Sequence, residues 1–69
     1  MPINKNSFWV KFEESGFYYR VKDGILKQAP IKENGEIDID KKVVVENIDT
    51  ELQTLNMRDK INYEFGTNF

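Results

Sequence analysis

FWVKFEESGFYYRVKDGILKQAP, residues 8–30, is the stretch that decides the fold, because two turn signals divide it into three short apolar segments. The second signal, Asp23-Gly24, favours a two-residue type I′ turn, in which both central residues need a positive φ. Such a turn fixes the register of the hairpin around it. The predicted pairs are Lys22 with Ile25, Val21 with Leu26, and Arg20 with Lys27.

The first turn signal, Glu13-Glu14-Ser15-Gly16, predicts a four-residue loop that pairs Phe12 with Phe17. Gly16 suits the left-handed conformation at the end of such a loop, because a Cβ atom would resist it. The two turns together predict an antiparallel meander of three strands.

Side chains alternate between the two faces of a strand, so the predicted register sorts these residues into two sets. The first set is apolar and predicts a core: Phe8, Val10, Phe12, Phe17, Tyr19, Val21 and Leu26. The second set, which we call the cationic face, combines aromatic rings with positive charges and is the candidate interaction surface: Trp9, Lys11, Tyr18, Arg20, Lys22 and Lys27.

The length of 69 residues predicts a single small domain, residues 1–69, whose one core is only marginally sufficient for stability. Cysteine is absent, so neither a disulfide nor a thiolate metal site supports the fold. Additional stability then comes from close packing or self-association, and we expect a homo-oligomer. No apolar run approaches the ~20 residues of a membrane span, and the N-terminal sequence lacks a secretory pattern. These features predict a soluble, cytoplasmic protein.

The charge distribution is uneven although the net charge is only −2. Residues 1–32 carry 6 Lys/Arg against 3 Asp/Glu, a balance of +3, and residues 33–69 carry 4 against 9, a balance of −5. The asymmetry indicates either two separate partner surfaces or an acidic half that folds back and neutralises the basic half.

The next segment offers two candidates for a further strand. Asn34-Gly35 predicts a turn that leads into the alternating segment Glu36-Ile37-Asp38-Ile39, which would form an edge strand with an acidic outer side. Val43-Val44-Val45 is a β-branched run that also favours extended structure. The pattern leaves open which of the two pairs with the sheet.

The C-terminal segment favours helix. Thr50 and Gln53 form a capping-box pattern that predicts a helix start at Thr50, and Gly66 is a suitable left-handed stop. Ile48, Leu52 and Leu55 line one side of such a helix, whereas Met57, Ile61 and Phe65 line nearly the opposite side. Two short helices broken near Asn56 reconcile the two sets. The alternation of Ile61, Tyr63 and Phe65 leaves a strand over residues 60–65 as the rival interpretation.

The predicted fold class is therefore α+β: an antiparallel β-meander of three to five strands with a C-terminal helical segment packed on one face.

Catalysis is not expected from this composition. Histidine and cysteine are both absent, which removes the commonest general base, metal ligand and nucleophile systems. A calcium loop fails on spacing, because the first acidic ligand of an EF-hand would fall on Pro30. We expect no enzyme activity, no cofactor and no metal. The rejected acidic cluster is Glu33, Glu36, Asp38 and Asp40.

The cationic face contains a pairing that does not favour folding. Arg20 directly opposite Lys27 costs a few tenths of a kcal/mol through repulsion, and Trp9 stacked on Arg20 recovers about 0.5–1 kcal/mol. Trp, Tyr and Arg together are typical of protein-interface hot spots, and rings among cations on a sheet are also typical of single-stranded nucleic-acid binding. Three interpretations stay open: a protein contact, a nucleic-acid contact, and a face that the helix or acidic side chains cover.

Phe17-Tyr18-Tyr19-Arg20-Val21-Lys22-Asp23-Gly24-Ile25-Leu26, continuing through Ala29-Pro30 to Asn34-Gly35, resembles a group of small uncharacterised accessory proteins of tailed phages. The acidic C-terminal segment has no counterpart in that group. The resemblance implies a phage origin, a setting in the host cytoplasm, and action by binding host or phage proteins. It brings no catalytic residues with it.

These observations together predict a non-enzymatic small domain that binds a protein partner or self-associates, without a membrane. The alternative function is weak binding of single-stranded nucleic acid through the cationic face. The net negative charge counts against that alternative, because sequence-independent affinity for nucleic acid comes largely from neutralising phosphates.

Overall fold

The computed structural model describes residues 8–52 and 56–69 and shows an α+β arrangement of a four-stranded antiparallel sheet and C-terminal helices. The strands follow one another in the sheet in the order of the sequence, as in a meander. The elements are β1 (Val10–Phe12), β2 (Phe17–Lys22), β3 (Ile25–Pro30), a 3₁₀-helix (Ile39–Lys41), β4 (Val43–Val44), α1 (Ile48–Glu51) and α2 (Met57–Phe65).

Both predicted turns and their registers are confirmed. Asp23 and Gly24 have φ angles of 53° and 76°, as a type I′ turn requires. Gly16 closes the first turn with a φ of 79°. The observed pairs include Phe12 with Phe17, Lys22 with Ile25, Val21 with Leu26 and Arg20 with Lys27.

Val43–Val44, and not residues 36–39, forms the fourth strand, β4, beside β3. Val45 follows it, donates its backbone N–H to the Leu26 carbonyl at 2.9 Å and is buried in the core. Residues 31–37 instead form a tight turn of their own, in which Ile37 makes an isolated bridge to Ile31. The valine run pairs with the sheet because it brings an apolar side chain to the core, which the acidic alternating segment does not.

The first helix starts earlier than predicted. α1 begins at Ile48, and its N-cap is Asn47, whose Oδ1 accepts the Thr50 backbone N–H at 3.3 Å. The Asn47 backbone N–H donates in turn to the Glu51 carboxylate at 3.2 Å. The prediction of Thr50 as the cap was therefore wrong by three residues, and its predicted partner Gln53 lies outside the described residues, as does Leu55.

The break near Asn56 and the stop at Gly66 are confirmed. Asn56 adopts the left-handed conformation immediately before α2, and Gly66 adopts it immediately after. Residues 60–65 lie inside α2, so the rival interpretation of a strand was wrong. Because Met57, Ile61 and Phe65 are spaced four residues apart, they lie on the same side of this helix, and that side is buried.

One core joins the sheet to the helices. Its buried members come from β1, β2, β3, the segment after β4, α1's C-terminal end and α2: Phe12, Tyr19, Val21, Leu26, Val45, Leu52, Met57, Ile61 and Phe65. Phe8 was expected in this core but is 83% exposed, because it lies before Val10, the first paired residue of β1. Val10 and Phe17 are only partly buried at its border. None of the described helices is long and apolar enough to cross a membrane.

Candidate functional site

The helices cover the apolar face of the sheet and leave the cationic face on the other side. Tyr19, Val21 and Leu26 belong to the core that includes α2, and they alternate along β2 and β3 with residues of the cationic face. The interpretation in which a C-terminal helix covers the cationic face is therefore wrong.

The turn formed by residues 31–37 lies against one end of the cationic face. The Tyr18 hydroxyl donates to the Gly35 carbonyl at 2.8 Å, and the Lys11 Nζ lies 3.3 Å from where a Cβ on Gly35 would stand. Ala29, which pairs with Tyr18 in the sheet, is fully buried although it is not part of the main core. Tyr18 is thus held in place by the turn, and Lys11 borders it, with an ion pair to Glu13 at 3.4 Å.

The other end of the cationic face carries the remaining four of its predicted residues. Lys27 lies opposite Arg20, as predicted. The register of β1, continued by one residue, places Trp9 on the other side of Arg20. Trp9, Arg20 and Lys27 are half-buried and Lys22 is exposed. The structure therefore keeps the predicted set on one face but divides it into a turn-bound end and an open end.

The cations of the open end have no neutralising partner in the described parts of the chain. The ion pairs there join Lys11, Lys41, Arg58 and Lys60 to carboxylates, and none of them involves Arg20, Lys22 or Lys27. The Nε atom of Arg20 is buried and finds no hydrogen-bond acceptor among these residues. A buried donor without an acceptor costs about 1–3 kcal/mol, and more when it is charged.

Two apolar residues that the prediction of the site missed also lie on this face. Ile25 is paired with Lys22 and Val44 is paired with Lys27, and they are 47% and 45% exposed. The predicted register already placed Ile25 beside Lys22, so it was available from the sequence. Val44 was not, because its assignment to the face depended on which segment formed the fourth strand.

A cavity lies on the helix-covered side of the sheet, with a volume of about 420 Å³, and Glu14, Ser15 and Tyr19 are among its lining residues. Two of its polar groups already have partners: the Ser15 hydroxyl donates to the Phe12 carbonyl at 3.1 Å, and Glu14 accepts from Lys60 at 3.1 Å. Burial raises the pKa of the Tyr19 hydroxyl, so this group stays protonated at neutral pH. The cavity is therefore a weaker candidate site than the cationic face.

The acidic residues that the structure describes in the second half of the chain do not converge on a metal site. Within residues 8–52 and 56–69, no three acidic side chains are placed to hold one ion. Glu33 and Glu36 stand on the exposed turn, and Asp38 forms an ion pair with Lys41 at 3.8 Å.

Comparison with protein-family models, with curated proteins and with solved structures finds no match to this chain.

Proposed function

We propose that this chain is a non-enzymatic binding domain and that the open end of its cationic face docks an acidic segment of a protein partner. The observation that carries the proposal is that no carboxylate of the described residues forms an ion pair with Arg20, Lys22 or Lys27, on the face opposite the helices. Carboxylates on a partner would satisfy these donors with charge-assisted hydrogen bonds.

The neighbours of these cations favour a protein over a nucleic acid. Ile25 and Val44 supply exposed apolar contacts beside Lys27, and a mixture of apolar groups, tryptophan and arginine is typical of interface hot spots. The Tyr18 ring is tied to the Gly35 carbonyl and is less available for stacking on bases. Action through protein binding also agrees with what the resemblance to phage accessory proteins implies.

The proposal is tested with two probes of opposite class and similar length: a peptide in which glutamate alternates with leucine, and oligothymidylate. Trp9 is the only tryptophan of the chain and lies on the proposed surface, so its fluorescence reports binding directly. We expect saturable quenching by the peptide at low salt, weakening as salt screens the charges.

The matched variants are Arg20→Gln and Arg58→Gln, which remove the same charge from opposite sides of the molecule, since Arg58 lies on α2 and pairs with Asp49. Losing a charged hydrogen bond of about 1.5–3 kcal/mol weakens the affinity roughly tenfold or more for Arg20→Gln. Arg58→Gln should leave the affinity unchanged. Binding of oligothymidylate alone would assign the face to nucleic acid, and no quenching by either probe would overturn the proposal.

A further inference from the structure

We propose that a second copy of this chain pairs with the exposed edge of β4, so that two sheets continue into one across a two-fold axis at Val44. This contact does not use the charges of the cationic face, and it shares only the Val44 side chain with the proposed docking surface. It uses the edge of the sheet, and its failure would leave the proposed function untouched.

The backbone of β4 leaves hydrogen-bonding groups pointing away from the sheet. In an antiparallel ladder the residues alternate between pairs that exchange both hydrogen bonds and pairs that exchange none. Val45 donates to the Leu26 carbonyl, so Val44, one residue earlier, belongs to a pair that exchanges none with Lys27. The N–H and C=O groups of Val44 therefore point to the outer edge, where no residue in 8–52 or 56–69 bonds to them and another strand can pair.

The charged residues around Val44 are complementary to those of a second copy that is aligned antiparallel. When two copies align antiparallel with Val44 opposite Val44, Lys42 of each copy faces Glu46 of the other. Both side chains are exposed, and neither forms an ion pair with any residue that the structure describes. The backbone at Lys42 is already extended, with φ −65° and ψ 142°. Opposite charges in directly facing positions stabilise a strand pair, so the edge carries its own recognition pattern.

The same alignment covers apolar surface that the single chain exposes. Val43 lies on the core side of the sheet but is 52% exposed, and the alignment sets it opposite the buried Val45 of the second copy. The two Val44 side chains, each 45% exposed, meet on the other side. Because an antiparallel edge pairing keeps equivalent faces on one side, the two cationic faces end up side by side.

The contact area of two such short strands is below the roughly 1,200 Å² of a stable interface, so the dimer is weak, with a Kd on the order of 100 μM. Sedimentation equilibrium of the full chain over a concentration range that brackets this value measures it. A strict monomer up to about 1 mM would overturn the proposal, because even a weak dimer is populated there.

Charge exchange tests the register. Lys42→Glu and Glu46→Lys each turn two facing pairs from attractive to repulsive and should weaken dimerisation roughly tenfold. The double variant Lys42→Glu/Glu46→Lys restores opposite charges and should bring the Kd back to within about threefold of the original. If the double variant were no better than the single ones, the register would be wrong, since a purely structural effect of each substitution would add.

Two further variants test the position of the axis. Val44→Pro removes an N–H that bonds to none of the described residues of the monomer, so the fold should persist, checked by circular dichroism, while dimerisation is lost. Val44→Cys introduces the only thiol, and facing residues about 5.5 Å apart at Cα allow a disulfide. Mild oxidation should form a disulfide between two copies of the Val44→Cys variant far faster than between two copies of the control variant Tyr63→Cys. The control places the thiol on α2, at a residue that is 91% exposed. Equal rates for the two variants would contradict pairing at Val44.

Discussion

Glu14 connects the first turn of the sheet to α2, because its carboxylate accepts a hydrogen bond from the Lys60 ammonium at 3.1 Å. A hydrogen bond from its own backbone N–H, and then the bond from Lys60, lower the pKa of this carboxyl below its ordinary value. A carboxyl whose pKa is lower in the folded state stabilises the fold above its unfolded-state pKa. That contribution disappears as the pH falls through the folded-state pKa.

Glu14→Gln should therefore make the free energy of unfolding less sensitive to acid between about pH 5 and pH 3. The measurement is the urea midpoint at a series of pH values, compared with wild type and with Glu33→Gln, which removes an exposed carboxylate from the 31–37 turn. The expected result is a shallower decline for Glu14→Gln only. Identical declines for the two variants would show that the Lys60 contact does not contribute.

Tyr19 affects the stability of the fold at alkaline pH, as Glu14 does at acid pH. Burial is the main cause that raises the pKa of its hydroxyl, and the negative charge of Glu51 adds to this. A group whose pKa is raised on folding stabilises the fold fully below the unfolded-state pKa, about 10 for tyrosine, and the contribution is lost as the pH rises through the folded-state pKa.

Tyr19→Phe removes the ionisable group and should reduce the loss of thermal stability between about pH 9 and pH 11. Tyr63→Phe is the matched control, since Tyr63 is 91% exposed and Tyr19 only 2%. The measurement is the change of Tm with pH for wild type and both variants. A steeper alkaline decline for Tyr19→Phe than for wild type would contradict the burial of the hydroxyl.

At the scale of the strand, adjacent residues have opposite environments. Leu26 is 2% exposed on the core face of β3, whereas Ile25 is 47% exposed on the cationic face. Leu26→Ala should cost about 2–5 kcal/mol of the free energy of unfolding, through lost burial and a residual cavity. Ile25→Ala should cost less than about 1 kcal/mol, as expected for a half-exposed site.

Urea denaturation of the two alanine variants measures this difference directly. Each substitution truncates an aliphatic side chain of equal size, so the comparison isolates the face on which the side chain lies. A larger cost at Ile25 than at Leu26 would indicate that the hairpin register is shifted by one residue, since such a shift exchanges the two faces.

Local turn chemistry explains why the meander could be predicted and why parts of the remainder could not. Asp23-Gly24 restricts its own backbone, so the pairs of β2 with β3 followed from the sequence alone. The fourth strand did not follow, since its selection depends on Val45 reaching the core formed by distant residues. The start of α1 was also missed, because Asn47 and Thr50 are both good N-cap residues and the choice rests on tertiary packing around Ile48.

The candidate site, like the fold, could be predicted from the sequence only in part. Alternation alone placed Trp9, Arg20 and Lys27 on one face, and the structure keeps them there. The contact of Gly35 with Tyr18 was not predictable, because it joins residues 17 positions apart through a turn whose direction is set by the sheet beneath it. Sequence patterns therefore identified the face but not which end of it is open.

At the scale of the whole molecule, the two layers share one core. Ile61 of α2 is fully buried in the same cluster as Val21 of β2 and Leu26 of β3. A chain of 69 residues without a disulfide has little stability in reserve, and neither layer has a second core of its own in the described residues. We therefore expect the sheet and the helices to unfold together.

Two probes report the layers separately: far-UV circular dichroism follows the helices, and the fluorescence of Trp9 follows the sheet. Ile61→Val, which removes one buried methylene group, should lower the stability by about 0.5–1.5 kcal/mol and shift both urea midpoints equally, although the substitution lies in the helix alone. Tyr63→Ala in the same helix, at a side chain 91% exposed, should shift neither midpoint appreciably. A shift in the helical signal that leaves the Trp9 midpoint unchanged would mean that the sheet is stable without α2, and the single shared core would then be wrong.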